Sequence, residues 1–359
     1  SGAALLAGID CGTGPITFPG DGVVHVGDET LSHYKDSSPD GVEVTVTFTV
    51  SDDDFRAMFE ALGATKMAQE IGVTKRAVEL RRVRLEDKIG QQVKAPKRTT
   101  RLVNQFRPNW IELEVDNGIV LVGSDAHIWP GKITTAWRAF ERFTKDLQPK
   151  TVIMNGDVID GAKISRHPPI NWEQQPNLVE EIEAASALLG NLERLAPPGC
   201  ELLWPLGNHD QRLETRLATV APEYAKLKGV HLKDHFGERW RPCYSAIIND
   251  DVVVKHRYKG GVHALHNSVL WAGKTMVTSH LHSLNVRAFT DYNGTRFGVD
   301  TGTLSEPYLP QFQYVEDNPV NWRSGFVVLT FIDGELQWPE VVNVVREGVV
   351  GFRGQHIHV

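Results

Sequence analysis

The stretch VLVGSDAHIWPG, residues 120–131, runs an apolar segment straight into Ser124, Asp125, Ala126 and His127, so a carboxylate and an imidazole emerge two positions apart where a buried strand should end. Four later stretches repeat the pattern: VIMNGDVIDG (152–161) delivers Asp157 and Asp160, LLWPLGNHDQR (202–212) delivers Asn208, His209 and Asp210, DVVVKH (251–256) delivers His256, and KTMVTSHLH (274–282) delivers His280 and His282. A lone Asp or His at a strand end is usually a turn-former. Five such junctions in order make one polar cluster. Between them lie amphipathic helical patterns: TTAWRAFERFTKDL (134–147) places Trp137, Phe140, Phe143 and Leu147 on one face, and NLVEEIEAASALLGNLERL (177–195) does the same with Leu178, Ile182, Ala185, Leu189 and Leu192. Strands alternating with helices predict an α/β domain, with functional residues at the carboxyl ends of the strands.

The side-chain chemistry narrows the reaction. Asp, Asn and neutral His offer hard oxygen and borderline nitrogen donors, a mixture suited to Mn, Fe, Zn or Ni more than to Mg or Ca. A central carboxylate can bridge two ions. Two cations roughly 3.5–4 Å apart polarise a phosphoryl group and lower the pKa of a shared water, which is the chemistry of phosphoester cleavage.

The order D-x-H, G-D-x-x-D, G-N-H-D, strand-end His and final H-x-H resembles the calcineurin-like metallophosphoesterase superfamily, over about residues 118–330. The resemblance implies a two-sheet αββα sandwich and two divalent transition metal ions, Mn first, with Fe, Zn or Ni as alternatives. It places Asp125, His127, Asp157 and His282 on the first ion and Asp157, Asn208, His256 and His280 on the second, with Asp157 as bridge. It makes His209 the acid that protonates the leaving oxygen, with Asp210 behind it as orienter and Asp160 as a supporting carboxylate. A hydroxide between the ions would attack phosphorus in line. Ser279 stands where the final motif usually has Gly, and Arg257 follows His256 where Gly is common; neither removes a ligand. ISRHPPINWEQQP, GNHDQRLETRL, VDTGTLSEP and NWRSGFVVL resemble the branch common in bacteriophage and prophage genomes. Arg166 falls on the loop that overhangs the site in relatives and is a candidate phosphate clamp, against a surface ion pair. Trp129 is a candidate base-stacking surface, against simple packing.

Upstream, VEVTVTFTV (42–50) alternates like a strand, and Ser51 or Asp52 caps a helix bearing Phe55, Met58, Phe59 and Leu62. ATKMAQEIGVTKRAVELRRVRLEDK reads as a short helix, a turn at Gly72 and a helix from Thr74. This resembles a helix-turn-helix, with Ala68, Val73 and Val78 inward and Lys75, Arg76, Glu79 and Arg82 outward. Arg81 departs from it by occupying a position that such motifs fill with an apolar side chain. Residues 65–101 hold eleven Lys or Arg against four acids, a charge of +7 in a chain whose net charge is -7. That segment is a candidate nucleic-acid contact.

The expected organisation is an irregular or β arm (1–50), a helix-turn-helix-like domain (51–90), a basic linker (91–108), the catalytic domain (109–348), opened by a hairpin turning at Asn117-Gly118, and a C-terminal tail (349–359). Three cysteines without a C-x-x-C pair exclude a disulfide framework and suit a reducing compartment. With no long apolar run, the expectation is a cytoplasmic protein with no membrane partner, in a bacterial host cell if phage-encoded. The expected activity is a phosphodiesterase for nucleic-acid or nucleotide diesters. The alternatives are a phosphomonoesterase or small-molecule diesterase with a structural N-terminal domain, and a DNA-binding regulator with an inactive phosphoesterase domain.

Overall fold

The computed structural model describes residues 32–37, 43–48, 50–96, 109–166 and 175–359. Contacts divide the chain into two compact units, Ser1–Gln105 and Phe106–Val359. Residues 1–31 of the expected arm and the basic residues Lys97, Arg98 and Arg101 lie outside the described residues.

In the first unit, strands Ser32–Ser37 and Glu43–Phe48 pair antiparallel. The helix Asp52–Ile71 starts at Ser51, whose side chain accepts the Asp54 amide, and breaks at Gly63, where φ is 70°. It stops at Gly72 in the left-handed conformation, and Thr74 caps the next helix, Lys75–Ile89, by accepting the Ala77 amide. Short polar caps and left-handed glycines thus punctuate three helical segments. Their core is Phe55, Phe59, Met67, Ala68, Ala77, Val78 and Leu85, joined by Val93 from the stretch read as linker. Arg81 is buried at the position that departs from the motif. Its guanidinium lies 4.5 Å over the Phe55 ring and donates to the Val50 carbonyl at 2.6 Å. A long aliphatic stem and a ring contact let a cation serve where a Leu would.

The second unit is a two-sheet sandwich in a mixed α/β fold. One sheet has nine strands, with Gly118–Gly123, Thr151–Met154, Glu201–Pro205 and Trp240–Cys243 parallel in succession; the other has six and includes Val252–Val254 and Thr275–Thr278. The period-2 rule decides which residues face where. Leu121, Val152, Met154, Leu202 and Trp204 face the helices Thr135–Leu147 and Leu178–Leu195. Val120, Val122, Ile153 and Leu203 face the other sheet, against Ala246, Val252, Val254, Val277 and Val299. The central strands are buried on both faces, which is why they read as continuous apolar runs. Each fully buried Val, Leu or Phe side chain contributes ~1.5–3 kcal/mol relative to exposure.

Two readings need correction. Asn117-Gly118 does not close a hairpin: Trp110–Leu113 pairs parallel with Ser245–Ile248 in the six-stranded sheet, while Gly118–Gly123 lies in the nine-stranded one. The cause is Val115, buried between the sheets and fastened by both backbone groups to the Asn249 side chain, so the chain crosses over instead of folding back. Residues 349–359 are not a tail. Val349–Phe352 and Gln355–His358 extend the nine-stranded sheet, with Val349, Val350 and Phe352 buried. Among the described residues no helix is long and apolar enough to cross a membrane.

Glu181 is fully buried on Leu178–Leu195 and accepts the Gly161 amide at 2.6 Å. Burial, then the nearby Asp160 carboxylate, push its carboxyl up to about 7 from 4.5. A carboxyl that titrates higher folded than unfolded contributes its full stability below pH 4.5 and loses it as pH rises through about 7. Urea unfolding of Glu181→Gln should therefore show a stability advantage that opens across this window to on the order of 3 kcal/mol. Parallel pH curves for the two proteins would contradict this assignment.

Candidate metal centre

All five junctions open onto one place. Asp125 and His127 follow Gly118–Gly123, Asp157 and Asp160 follow Thr151–Met154, Asn208 and His209 follow Glu201–Pro205, His256 follows Val252–Val254, and His280 and His282 follow Thr275–Thr278. The donor atoms of Asp125, His127 and His282 lie within 4.8 Å of one another, as do those of His127, Asp157 and His209, and those of Asp157, His256 and His280. Asp157 belongs to two of these groups. Its Oδ2 lies 3.1 Å from His256 Nε2, 3.9 Å from His209 Nε2 and 4.0 Å from His127 Nε2. The sequence reading kept His209 out of the ligand set, and the structure sets it beside that set.

The backbone is bent to make this possible. Asp125, His127, Asp157, His280 and His282 all have positive φ, between 40° and 74°. Side-chain-bearing residues rarely accept that region and persist in it only where surrounding structure over-determines them. The glycines admit the close approach. A Cβ on Gly207 would sit 2.1 Å from Asp157 Oδ1, and one on Gly156 would sit 2.5 Å from His256 Nδ1.

Hydrogen bonds aim the imidazoles. His127 Nδ1 donates to Asp160 Oδ1 at 3.1 Å, and His256 Nδ1 donates to the Asn155 carbonyl at 2.8 Å. His127 is left with a buried Nε2 that has no hydrogen-bond partner, His256 Nε2 faces Asp157 Oδ2 at 3.1 Å, and Asn208 Oδ1 is buried without a partner. Buried polar atoms are normally satisfied, so an orphaned His127 Nε2 4.0 Å from the Asp157 carboxylate, and an orphaned amide oxygen on the adjoining loop, suit a cation. The donor set is the O/N mixture that divalent transition metals take. Ser279, the departure from the expected glycine, sits beneath His256 and contacts its Nδ1 at 3.1 Å and the Asn155 carbonyl at 2.9 Å.

Charge is balanced by mutual proximity. Burial alone would raise the Asp125 and Asp157 carboxyls, but His282 and His256 hold Asp125 down, and His256, His209 and His127 hold Asp157 down. Burial also opposes a charged His256, yet the carboxylates of Asp157 and Asp125 raise it to about 10. His209 is raised too, because its hydrogen bond to Asp160 and the charges of Asp157 and Asp160 outweigh burial.

The supports differ from expectation at one point. Asp210 is not behind the His209 ring. It is buried and accepts the amides of Asp157, Val158 and Gly207 at 2.9 Å each and the Trp204 indole at 3.0 Å, so its oxygens are committed to loop backbone. Asp160 orients His209 instead: Nδ1 donates to its carbonyl at 2.8 Å and lies 3.2 Å from its Oδ1. Arg212 donates to that same carbonyl at 2.8 Å and reaches His209 Nε2 at 3.1 Å. Arg166 is exposed at the edge of segment 167–174, which lies outside the described residues. Trp129 is half-buried and lines a small cleft with Ile128, Lys132 and Leu309. Residues of segment 301–324 also reach the centre. Thr303 Oγ1 donates to the Asp125 carbonyl, Phe312 packs 5.1 Å from the His127 ring and Trp322 packs 4.5 Å from His282. In the sequence the strings VDTGTLSEP and NWRSGFVVL mark the two ends of that segment.

The calcineurin-like phosphoesterase family pattern matches residues 119–299. Vps29 of Chaetomium thermophilum is similar with a TM-score of 0.35 and 10% identity, over 67% of this chain and 97% of that one. A protein serine/threonine phosphatase from Saccharomyces cerevisiae with similarity to human phosphatase PP5 is similar with a TM-score of 0.34 and 14% identity, over 66% of this chain and 84% of that one. No curated protein matches the chain.

Gly207→Ala tests the close approach. Its methyl meets both the Asp157 side chain and the Asp157 backbone nitrogen, at 2.1 and 2.4 Å, so the loop must move. Urea unfolding should show a loss of ~3 kcal/mol or more, whereas Gly260→Ala, which meets nothing within 4 Å, should stay within ~1 kcal/mol of the parent.

Proposed function

The chain belongs to the calcineurin-like phosphoesterase family, and from that premise we propose a dinuclear metal-dependent phosphodiesterase that hydrolyses nucleic-acid or nucleotide diesters. The observation that carries the reading is the pair of donor groups, Asp125–His127–His282 and Asp157–His256–His280, with the orphaned Asn208 oxygen on the adjoining loop. Asp125, His127, Asp157 and His282 would hold one ion, and Asp157, Asn208, His256 and His280 the other. Mn heads the candidates, followed by Fe, Zn and Ni. When bound, the ions supply Lewis acidity toward the phosphoryl oxygens and a water that ionises near neutral pH.

The protein's own groups do the rest. Asp157 presents one carboxylate to both halves of the centre. His209 is held by Asp160 through Nδ1, and its Nε2 accepts from Arg212 at 3.1 Å, so it carries a proton for the leaving oxygen once that guanidinium turns to the phosphate. As the oxygen of water bonds to phosphorus and the bond to the leaving oxygen breaks, the proton on His209 Nε2 passes to that leaving oxygen. Arg212, already 3.1 Å from His209 Nε2, is a better-placed phosphate partner than Arg166, which stays a second candidate. Asp210 acts on this chemistry only through the loops it fastens.

The diester preference has support in the first unit. Lys66, Lys75 and Arg76 are exposed there, and the turn at Gly72 between capped helices supports a helix-turn-helix reading. Not every cation in that run is available, since Arg81 is buried, Arg82 is paired with Glu79 and Glu86, and Lys88 with Asp52.

Two measurements test the site. Asp157→Asn should lose metal by elemental analysis, and full occupancy would contradict the bridge. His209→Ala should keep its metal and lose ~10²–10⁴-fold on diesters with poor leaving groups, but far less on activated nitrophenyl esters; equal losses would remove the general-acid role. For the partner, full-length Lys75→Glu/Arg76→Glu should bind and cut single-stranded or duplex DNA more weakly, with a shallower salt dependence, and keep its rate on bis-p-nitrophenyl phosphate. Unchanged DNA cleavage would favour the reading in which this unit is structural and the substrate is a small phosphoester.

A further inference from the structure

Beside the centre stands a wall of rings that ligand geometry does not require. Phe312 is fully buried and packs edge-on to His127 at 5.1 Å; Trp322 packs against His282 at 4.5 Å and against Phe312 at 5.0 Å. Tyr314 lies 6.2 Å from Phe312 and 6.3 Å from Trp322, one ring further out. Phe312 does the packing. Tyr314 is 56% exposed, far more than a core residue needs, and Trp322 is half-buried.

The wall is fastened to the catalytic loops. Gln311 donates to the His127 carbonyl at 3.0 Å, the Arg323 amide donates to the His282 carbonyl at 2.7 Å, and Thr303 and Ser324 pair at the base of the segment. The rings therefore hold a fixed position relative to His127 and His282. Burial, then the Asp160 carboxylate, push the Tyr314 phenol up to about 12 while Arg212 opposes them. Its hydroxyl stays a donor at neutral pH.

We propose that Tyr314 and Trp322 form a nucleoside-binding wall, on which the base of a nucleotide diester stacks while its phosphate occupies the centre. This rests on the phosphodiesterase reading above and deepens it. Flat π-faces accept any base with little sequence preference, and base–aromatic stacking is strong enough to discriminate a nucleoside ester from an alkyl ester of equal charge. An exposed aromatic next to a polyanion-cleaving site matches a substrate that brings its own flat group one phosphate away. A phosphorylated side chain or a simple alkyl phosphate brings none.

The test compares two diesters with the same leaving group, thymidine 5′-(p-nitrophenyl phosphate) and methyl p-nitrophenyl phosphate, on the Mn-loaded full chain. The parent should favour the nucleoside ester in kcat/KM by at least roughly tenfold, and Tyr314→Leu or Trp322→Leu should cut that ratio by about 5- to 50-fold, chiefly through KM. Tyr314→Phe keeps the ring and should keep the ratio. A parent ratio near one, a ratio unmoved by Tyr314→Leu and Trp322→Leu, or an equal loss in Tyr314→Phe and Tyr314→Leu would overturn the wall while leaving the phosphodiesterase reading intact. A parent that cuts neither diester but does cut p-nitrophenyl phosphate would overturn that reading first, and the wall with it.

Discussion

The Asp210 carboxylate is the knot on which the centre depends. It is buried and takes four N–H donors, three from the backbone at Asp157, Val158 and Gly207 and one from Trp204. Two loops that leave adjacent strands are thereby fixed to each other at the point where Asp157 must face four imidazoles. A charged acceptor with several donors in a low-dielectric interior outweighs neutral hydrogen bonds. Burial and the neighbouring Asp157 push its carboxyl up to about 6, so the knot holds at some electrostatic cost. Apolar burial on both faces of the central strands then keeps the strand ends in register.

Much of this centre was legible because its chemistry is carried by rare residue types at strand ends. Asp125, His127, Asp157, Asn208, His256, His280 and His282 announce themselves by type and by the apolar runs before them. Asp210 shares that signature, yet its role depends on the direction of nearby N–H groups, which no spacing encodes. Hence it was read as the orienter of His209, a task that falls to Asp160. The aromatic wall was illegible for another reason. Phe312 and Trp322 lie more than a hundred residues from His127 in sequence, and a ring in a loop looks the same whether it packs a core or borders a site.

The two misread segments share a cause. Asn117-Gly118 has the composition of a tight turn and GVVGFRGQHIHV that of a trailing end, and both were judged on local propensity. Tertiary partners decided otherwise, through Val115 with Asn249 in one case and through the open edge at Glu340–Arg346 in the other. The basic run teaches the converse. Counting eleven cations predicts a polyanion surface, but Arg81 is spent on Phe55 and Val50, and Arg82 and Lys88 on neighbouring acids. Charge in a sequence is a supply, and only the folded chain shows how much of it faces outward.

The left-handed backbone at Asp125, His127, Asp157, His280 and His282 has a consequence for how this protein can vary. Each of these residues occupies a conformation that glycine or asparagine would adopt with less strain. The fold by itself is thus under pressure to lose the very side chains that define the centre, and drift toward stability runs against drift toward activity. A lineage that abandoned catalysis would relax first at these turns, keeping the sandwich and letting the loops fall silent.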